Sequence, residues 1–153
     1  MADKTLFDKI VEGEIPAHKV WEDDRYLAFL TPFASTPGAT VVIPKQNPGD
    51  YVFTVDDDIV AGLMVACRKV ARLLEKAFGL ERVALVFEGQ EVPHLHAKLY
   101  PMHEGRGDRS KFPKHQIFFP VYPGYLMTSN GPKMDETELA AISQKIREAG
   151  NEN

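Results

Sequence analysis

Between Asp56 and Gly79 the apolar residues Ile59, Leu63, Ala66, Val70, Leu73, Leu74 and Ala77 recur at intervals dominated by three and four. That period gathers them on one face of a helix, with Asp56, Asp57 and Asp58 at its start and Gly79 at its end. A long helix with one apolar stripe needs a broad apolar partner. The remaining segments supply one, because they are short and read as strands. Residues 19–22 and 26–30 flank the turn Glu22-Asp23-Asp24-Arg25 as a candidate hairpin. Thr40-Val41-Val42-Ile43, stopped by Pro44, is a β-branched run suited to a strand buried on both faces. Residues 83–87 and 94–100 read as a second antiparallel hairpin across Glu88-Gly89-Gln90. A short N-terminal helix is expected after Thr5 as its cap, with the Asp8 carboxylate favouring the dipole of its first turn and Gly13 ending it. Asp135 with Glu138 opens a C-terminal helix carrying Leu139, Ile142 and Ile146. The class is α+β: an antiparallel sheet of about five strands, one long helix and a short N-terminal helix.

With 153 residues, 44% hydrophobic and 26% charged, the chain has enough material for one core. Eighteen Lys and Arg against 22 Asp and Glu give a net charge of -4, which argues against binding long nucleic acids. The charge is uneven. Arg106, Arg109, Lys111 and Lys114 with Asp108 make a local +3 and leave -7 elsewhere, so a small anion such as a nucleotide is compatible. Cys67, the single cysteine, can form no intramolecular disulfide. No apolar run reaches membrane-spanning length and the first residues are polar, so the expectation is a cytoplasmic protein without membrane partners.

His94, His96 and Lys98 are spaced by two, which on a strand puts them on one exposed face while Leu95, Ala97 and Leu99 face the core. Two imidazoles in a row read as a nucleophile with its partner, as metal ligands, or as a solvated strand face. A metal would need a third ligand from His103, Glu104, Asp108 or His115, and no fixed-spacing motif completes such a site. His18 and His115 read as surface residues. The basic run from Arg106 reads as a solvated loop or as an electrostatic lip for phosphates. Phe112, Phe118, Phe119, Tyr122 and Tyr125 read as core, as base-stacking residues, or as cover for a dimer seam.

Four blocks, in order, resemble the histidine triad (HIT) family: Leu6-Phe7-Asp8-Lys9-Ile10-Val11-Glu12-Gly13-Glu14-Ile15-Pro16-Ala17, Val20-Trp21-Glu22-Asp23-Asp24-Arg25-Tyr26-Leu27-Ala28-Phe29, Pro37-Gly38-Ala39-Thr40-Val41-Val42-Ile43-Pro44-Lys45 and Gly89-Gln90-Glu91-Val92-Pro93-His94-Leu95-His96. The resemblance implies a HIT-like core over residues 1–104, and the rest reads as an irregular tail, 105–153, whose C-terminal helix packs on the same domain. It also implies a homodimer with a continuous sheet and a nucleotide hydrolase needing no cofactor or metal. The reaction implied is attack at the α-phosphorus of a nucleoside phosphoramidate or dinucleoside polyphosphate, through a nucleotidyl-histidine. His96 matches the nucleophile, His94 the histidine that orients it, and Gln90 a phosphate contact. Phe7, Ile10 and Phe29 match the nucleobase pocket.

Several positions depart from the family pattern. Lys98 stands for the third motif histidine, Ala39 for an upstream histidine, Thr31 for the ribose-binding Asp and Glu91 for a phosphate-binding Ser or Thr. A cation at Lys98 lowers the pKa of His96 and so keeps it nucleophilic, but an amine is a poor proton donor to a leaving group at neutral pH. A carboxylate at Glu91 repels phosphate by about 1 to 4 kcal/mol at roughly 4 Å in surface-like dielectrics. An ion pair between Glu91 and Lys98 is the expected relief. A diverged binding protein that keeps the fold but has weak turnover is the alternative.

Overall fold

The computed structural model describes residues 3–89, 91–103 and 130–151. Helix α1 (Leu6–Val11) opens with the Thr5 cap expected from sequence, and Asp8 makes it a capping box: the Thr5 hydroxyl accepts from the Asp8 amide at 3.1 Å, and the Asp8 carboxylate accepts from the Thr5 amide at 2.8 Å. Strands β1 (Lys19–Glu22) and β2 (Tyr26–Leu30) form the predicted hairpin, and β3 (Thr40–Pro44) is buried throughout. Helix α2 (Asp57–Phe78) ends at Gly79, whose φ of 66° is the left-handed conformation that favours glycine. Asp56 makes no side-chain capping bond, so the first turn of α2 relies on Asp57 and Asp58 facing its positive end.

Strands β4 (Val83–Val86) and β5 (Ala97–Pro101) pair antiparallel and complete a sheet of order β1-β2-β3-β5-β4. Helix α3 (Glu136–Asn151) starts where the Asp135 carboxylate accepts from the amides of Thr137 (2.8 Å) and Glu138 (3.4 Å). Among the described residues, no helix is long and apolar enough to cross a membrane.

Alternation along the strands divides the buried residues between the two faces of the sheet. On one face Ala28, Leu30, Val42, Ala97 and Leu99 meet Leu63, Val70 and Leu74 of α2, joined by Leu139 and Ile146 of α3. On the other, Phe7 and Ile10 of α1 cover Leu27, Phe29, Val41 and Ile43. The register sets Phe29 opposite Val41 and Val41 opposite Lys98, so Lys98 belongs to the α1 face.

The strand expected to begin at His94 begins at Ala97. Backbone pairing explains the difference. Pro93 has no N–H, the Leu95 amide donates to the Gly49 carbonyl at 2.6 Å, and the Pro44 carbonyl is taken by the His94 side chain. Residues 94–96 therefore have their partners outside the ladder.

Candidate active site

The same backbone detour buries the two histidines. His94 is 0% and His96 2% exposed, which corrects the expectation of an exposed polar row. Both rings stand edge-on to Phe7, with centroids 5.8 Å and 5.3 Å away. In His94 the Nε2–H donates to the Pro44 carbonyl at 2.7 Å. Its Nδ1 lies 3.3 Å from the Thr5 hydroxyl and 3.4 Å from Asp8 Oδ1, so the residues that cap α1 also seat this ring. Partial burial acts most strongly on Asp8 and would raise its pKa. Hydrogen bonds from Thr5 and the nearby His94 and Lys4 outweigh it and hold the carboxyl below its usual range.

In His96 the Nδ1–H donates to the His94 carbonyl at 2.7 Å. It is this carbonyl, not the His94 imidazole, that orients His96. With the proton fixed on Nδ1, the Nε2 lone pair is free, and His96 lines a cavity of about 600 Å3. Burial, opposed by the bond to the carbonyl and assisted by Lys98, holds the His96 pKa below the ordinary histidine value. For His94 burial is again the leading cause, and its pKa too lies below the ordinary value. Burial therefore favours the uncharged form of each ring more than an ordinary histidine's surroundings do.

Phe7, Ile10, Phe29 and Thr31 line this cavity, as do Lys98 and Glu91. The sequence-predicted site residues therefore converge, apart from His94 behind the wall and Gln90, which lies outside the described residues. The expected Glu91–Lys98 ion pair does not form. Lys98 is paired instead with Glu88, whose side chain is 3% exposed. Strand register explains the choice: Val86 sits opposite Lys98, and Glu88, two residues on, projects to the same side. Glu91 is exposed, and its Oε1 accepts from Asn130 Nδ2 at 3.4 Å. Its φ of 70° is left-handed, a conformation that costs a non-glycine residue roughly 1 to 2 kcal/mol.

Among the lining residues that were not anticipated are four that can ionise or hydrogen-bond through their side chains. Asn130, Lys133 and Glu136 reach the cavity from the C-terminal segment, and His18, expected at the surface, is half-buried in its wall with Nε2 2.7 Å from Glu136 Oε2. No local sequence signal links positions 118 apart. Of the other candidate metal ligands, His103 donates to the Pro37 carbonyl at 2.7 Å and packs against Phe78. Glu104, Asp108 and His115 lie outside the described residues, as do the basic run from Arg106 to Lys114 and the aromatic residues Phe112 to Tyr125. Among the described residues no group of three His, Cys, Asp or Glu could hold a metal ion.

The HIT domain family model matches residues 12–105. A HIT-like protein of Methanocaldococcus jannaschii is 35% identical over 112 residues, covering 70% of this chain and 85% of that one. Protein hit of Bacillus subtilis is 37% identical over 112 residues, covering 70% and 76%. Among solved structures, a HIT-like protein from Bartonella henselae superposes with a TM-score of 0.69 at 27% identity, covering 97% of this chain and 98% of that one. A HIT family hydrolase from Legionella pneumophila gives 0.54 at 30% identity, covering 76% and 98%. The chain belongs to the HIT family, and its fold is the family's α+β fold.

Proposed function

We propose that the protein is a nucleotide hydrolase that works at the α-phosphorus of a nucleoside phosphoramidate or dinucleoside polyphosphate. The observation that carries this reading is the fixed tautomer of His96, a buried neutral imidazole with Nδ1–H on a carbonyl and Nε2 unprotonated. The resemblance to the Legionella hydrolase supports the same class.

The Nε2 lone pair attacks phosphorus, a P–N bond forms, and the bond to the leaving group breaks with its electron pair going to that group. The ring then carries positive charge, which the His94 carbonyl at 2.7 Å from Nδ1 stabilises. Water attacks the same phosphorus, the P–N bond breaks, the lone pair returns to Nε2 as the nucleoside monophosphate departs, and the proton that water sheds to solvent balances the one the leaving group takes from it. The apolar side chains Phe7, Ile10 and Phe29 are the base platform in this reading, and Lys98 and Gln90 serve the phosphates. Protomers pair edge to edge in this reading; among the described residues β1 and β4 are the outer strands of the sheet.

The second reading, a nucleotide-binding protein with little turnover, has an observation of its own. Lys98 is paired with Glu88, so the position of the third motif histidine holds no free cation. One experiment separates the two: incubation with an adenosine phosphoramidate and a dinucleoside polyphosphate, followed by product analysis and intact mass. The hydrolase reading expects turnover and a nucleotidyl adduct, both lost in His96→Ala by about 10^4-fold or more. Turnover that survives His96→Ala overturns it, and binding without turnover favours the second reading.

A further inference from the structure

Helices α2 and α3 and the edge strand β1 line a second cavity, of about 680 Å3, which shares no lining residue with the one that His96 lines. A bulge in β1 shapes it. Lys19 pairs with Phe29 and Trp21 with Ala28, so Val20 is an extra residue in the strand. Alternation is interrupted there, and Val20 and Trp21 both pack on the α2 side of the sheet. Trp21, half-buried, thereby becomes part of the cavity wall.

Four cations reach this cavity, Arg68, Lys69 and Arg72 from α2 and Arg147 from α3, and among the described residues no Asp or Glu lines it. In a chain of net charge -4 such a grouping runs against the average. Arg68 and Arg72 stand four residues apart on α2, and Lys69 and Arg72 three, spacings at which like charges repel. Little within the fold offsets the repulsion. Arg72 has Glu75 at 2.7 Å, Lys69 lies over the Trp21 ring at 5.4 Å from its centroid, and the Arg68 side chain has no partner among the described residues. Arg147 is the fixed member. Its Nη1 donates to the Lys19 carbonyl at 2.7 Å and to the Ser143 hydroxyl at 3.2 Å, leaving the N–H groups of Nε and Nη2 open.

A multiply charged anion supplies the missing counter-charge. Three of the four cations are arginines, whose planar forks match phosphate oxygens two at a time. The volume is that of a small-molecule site, and the net charge of the chain opposes a long nucleic acid. One feature works against an anion: the C-terminal end of α3, at Gly150 and Asn151, carries a partial negative charge of roughly half a unit. Against the cations, of which only Arg72 is paired with a carboxylate, this is the smaller effect. We propose that the cavity between α2, α3 and β1 is a second anion site, separate from the His96 cavity, which binds a chain of phosphates, free or carried on a nucleotide.

Trp21 is the one tryptophan of the chain, so its fluorescence reports on this cavity. The test is titration of the full chain with inorganic tripolyphosphate, with sulfate at matched ionic strength as the control. A saturable change in Trp21 emission is expected, with an affinity at least about tenfold above that for sulfate and falling as salt is raised. Arg68→Gln combined with Arg72→Gln should weaken tripolyphosphate by about tenfold or more. Both residues are exposed and Lys69 stays over Trp21, so the variant should fold and keep its reporter, which an unchanged melting midpoint checks. ATP titrated in parallel identifies the source: tighter binding than tripolyphosphate indicates a nucleotide-borne chain, and equal or weaker binding a free one, either upholding the site. No saturable change, sulfate binding as tightly, or a variant that binds as well as the wild type overturns the proposal. So does tighter binding of a hexaglutamate peptide, which would make this the seat of an acidic protein segment. None of these readouts uses hydrolysis, so the proposal and the hydrolase reading stand or fall separately.

Discussion

The two faces of the sheet are built from the same strands but bury different chemistry. Against α2 the buried side chains are almost all apolar, from Leu63, Val70 and Leu74 to Ala97 and Leu99. Against α1 the apolar group is smaller, and two imidazoles with a Lys–Glu pair are enclosed at its margin. An apolar face stabilises in proportion to area removed from water, and its side chains tolerate exchange at similar volume. A face that encloses polar groups stabilises less and depends on every donor and acceptor being met. Here they are met: among the described residues, no buried side-chain nitrogen or oxygen lacks a hydrogen-bond partner. The α2 face supplies the stability that lets the α1 face carry unprotonated histidines.

This division is broken most directly by Leu74→Ala. Leu74 is fully buried in the α2 face, and its truncation should cost about 2 to 5 kcal/mol of unfolding free energy. Urea denaturation measures the loss, and turnover per folded molecule should stay within about twofold of wild type, since Leu74 does not itself line the cavity. A Leu74→Ala protein that keeps its stability but loses turnover would mean that the two faces are not separate in function.

Acid sharpens the contrast with a smaller effect. His94 and His96 have folded pKa values below the ordinary 6.5, chiefly through burial. Between that ordinary value and the lower folded one, the unfolded chain binds more protons than the native protein, so stability falls as pH drops through this window. Above pH 6.5 these two groups contribute no slope. Turnover should likewise be level through neutrality and decline only on the acid side of 6.5, as His96 loses its lone pair. Replacing both histidines with Gln should flatten the stability slope in this window, and an unchanged slope would refute the assignment.

What the sequence disclosed follows the same division. Helix α2, the β1–β2 hairpin and β3 were legible because period, turn residues and Pro44 are local signals, and each lies where local and tertiary preferences agree. The grouping of Phe7, Ile10, Phe29, His96 and Lys98 was legible through the family blocks. The state of the histidines was not. Alternation through His94, Leu95 and His96 mimics an exposed strand, whereas carbonyls of Gly49 and Pro44, remote in sequence, decide the backbone there. Glu88 as the partner of Lys98 follows from strand parity once the register is known, but the register depends on the length of the connection after β4. His18 and Glu136 meet only because α3 folds back on β1, which no local pattern encodes.

The smallest effect tests whether the polar margin is tuned at its mouth. Glu91 faces solvent, with Asn130 as its one partner among the described residues, at 3.4 Å, so water screens its charge. That exposure moves its repulsion of a phosphate to about 1 kcal/mol at a separation of roughly 4 Å, the low end of the range expected from sequence. Glu91→Ser should therefore tighten nucleotide binding about fivefold, measured by titration at low ionic strength. Serine keeps the Cβ, so the left-handed strain at this position is unchanged and the comparison reads charge alone. The gain should fade as salt is raised, because a screened charge has less left to remove. If Glu91→Ser gains no more than the exposed turn variant Asp24→Ser, the carboxylate does not face the phosphates, and the lining of that end of the cavity must be assigned afresh.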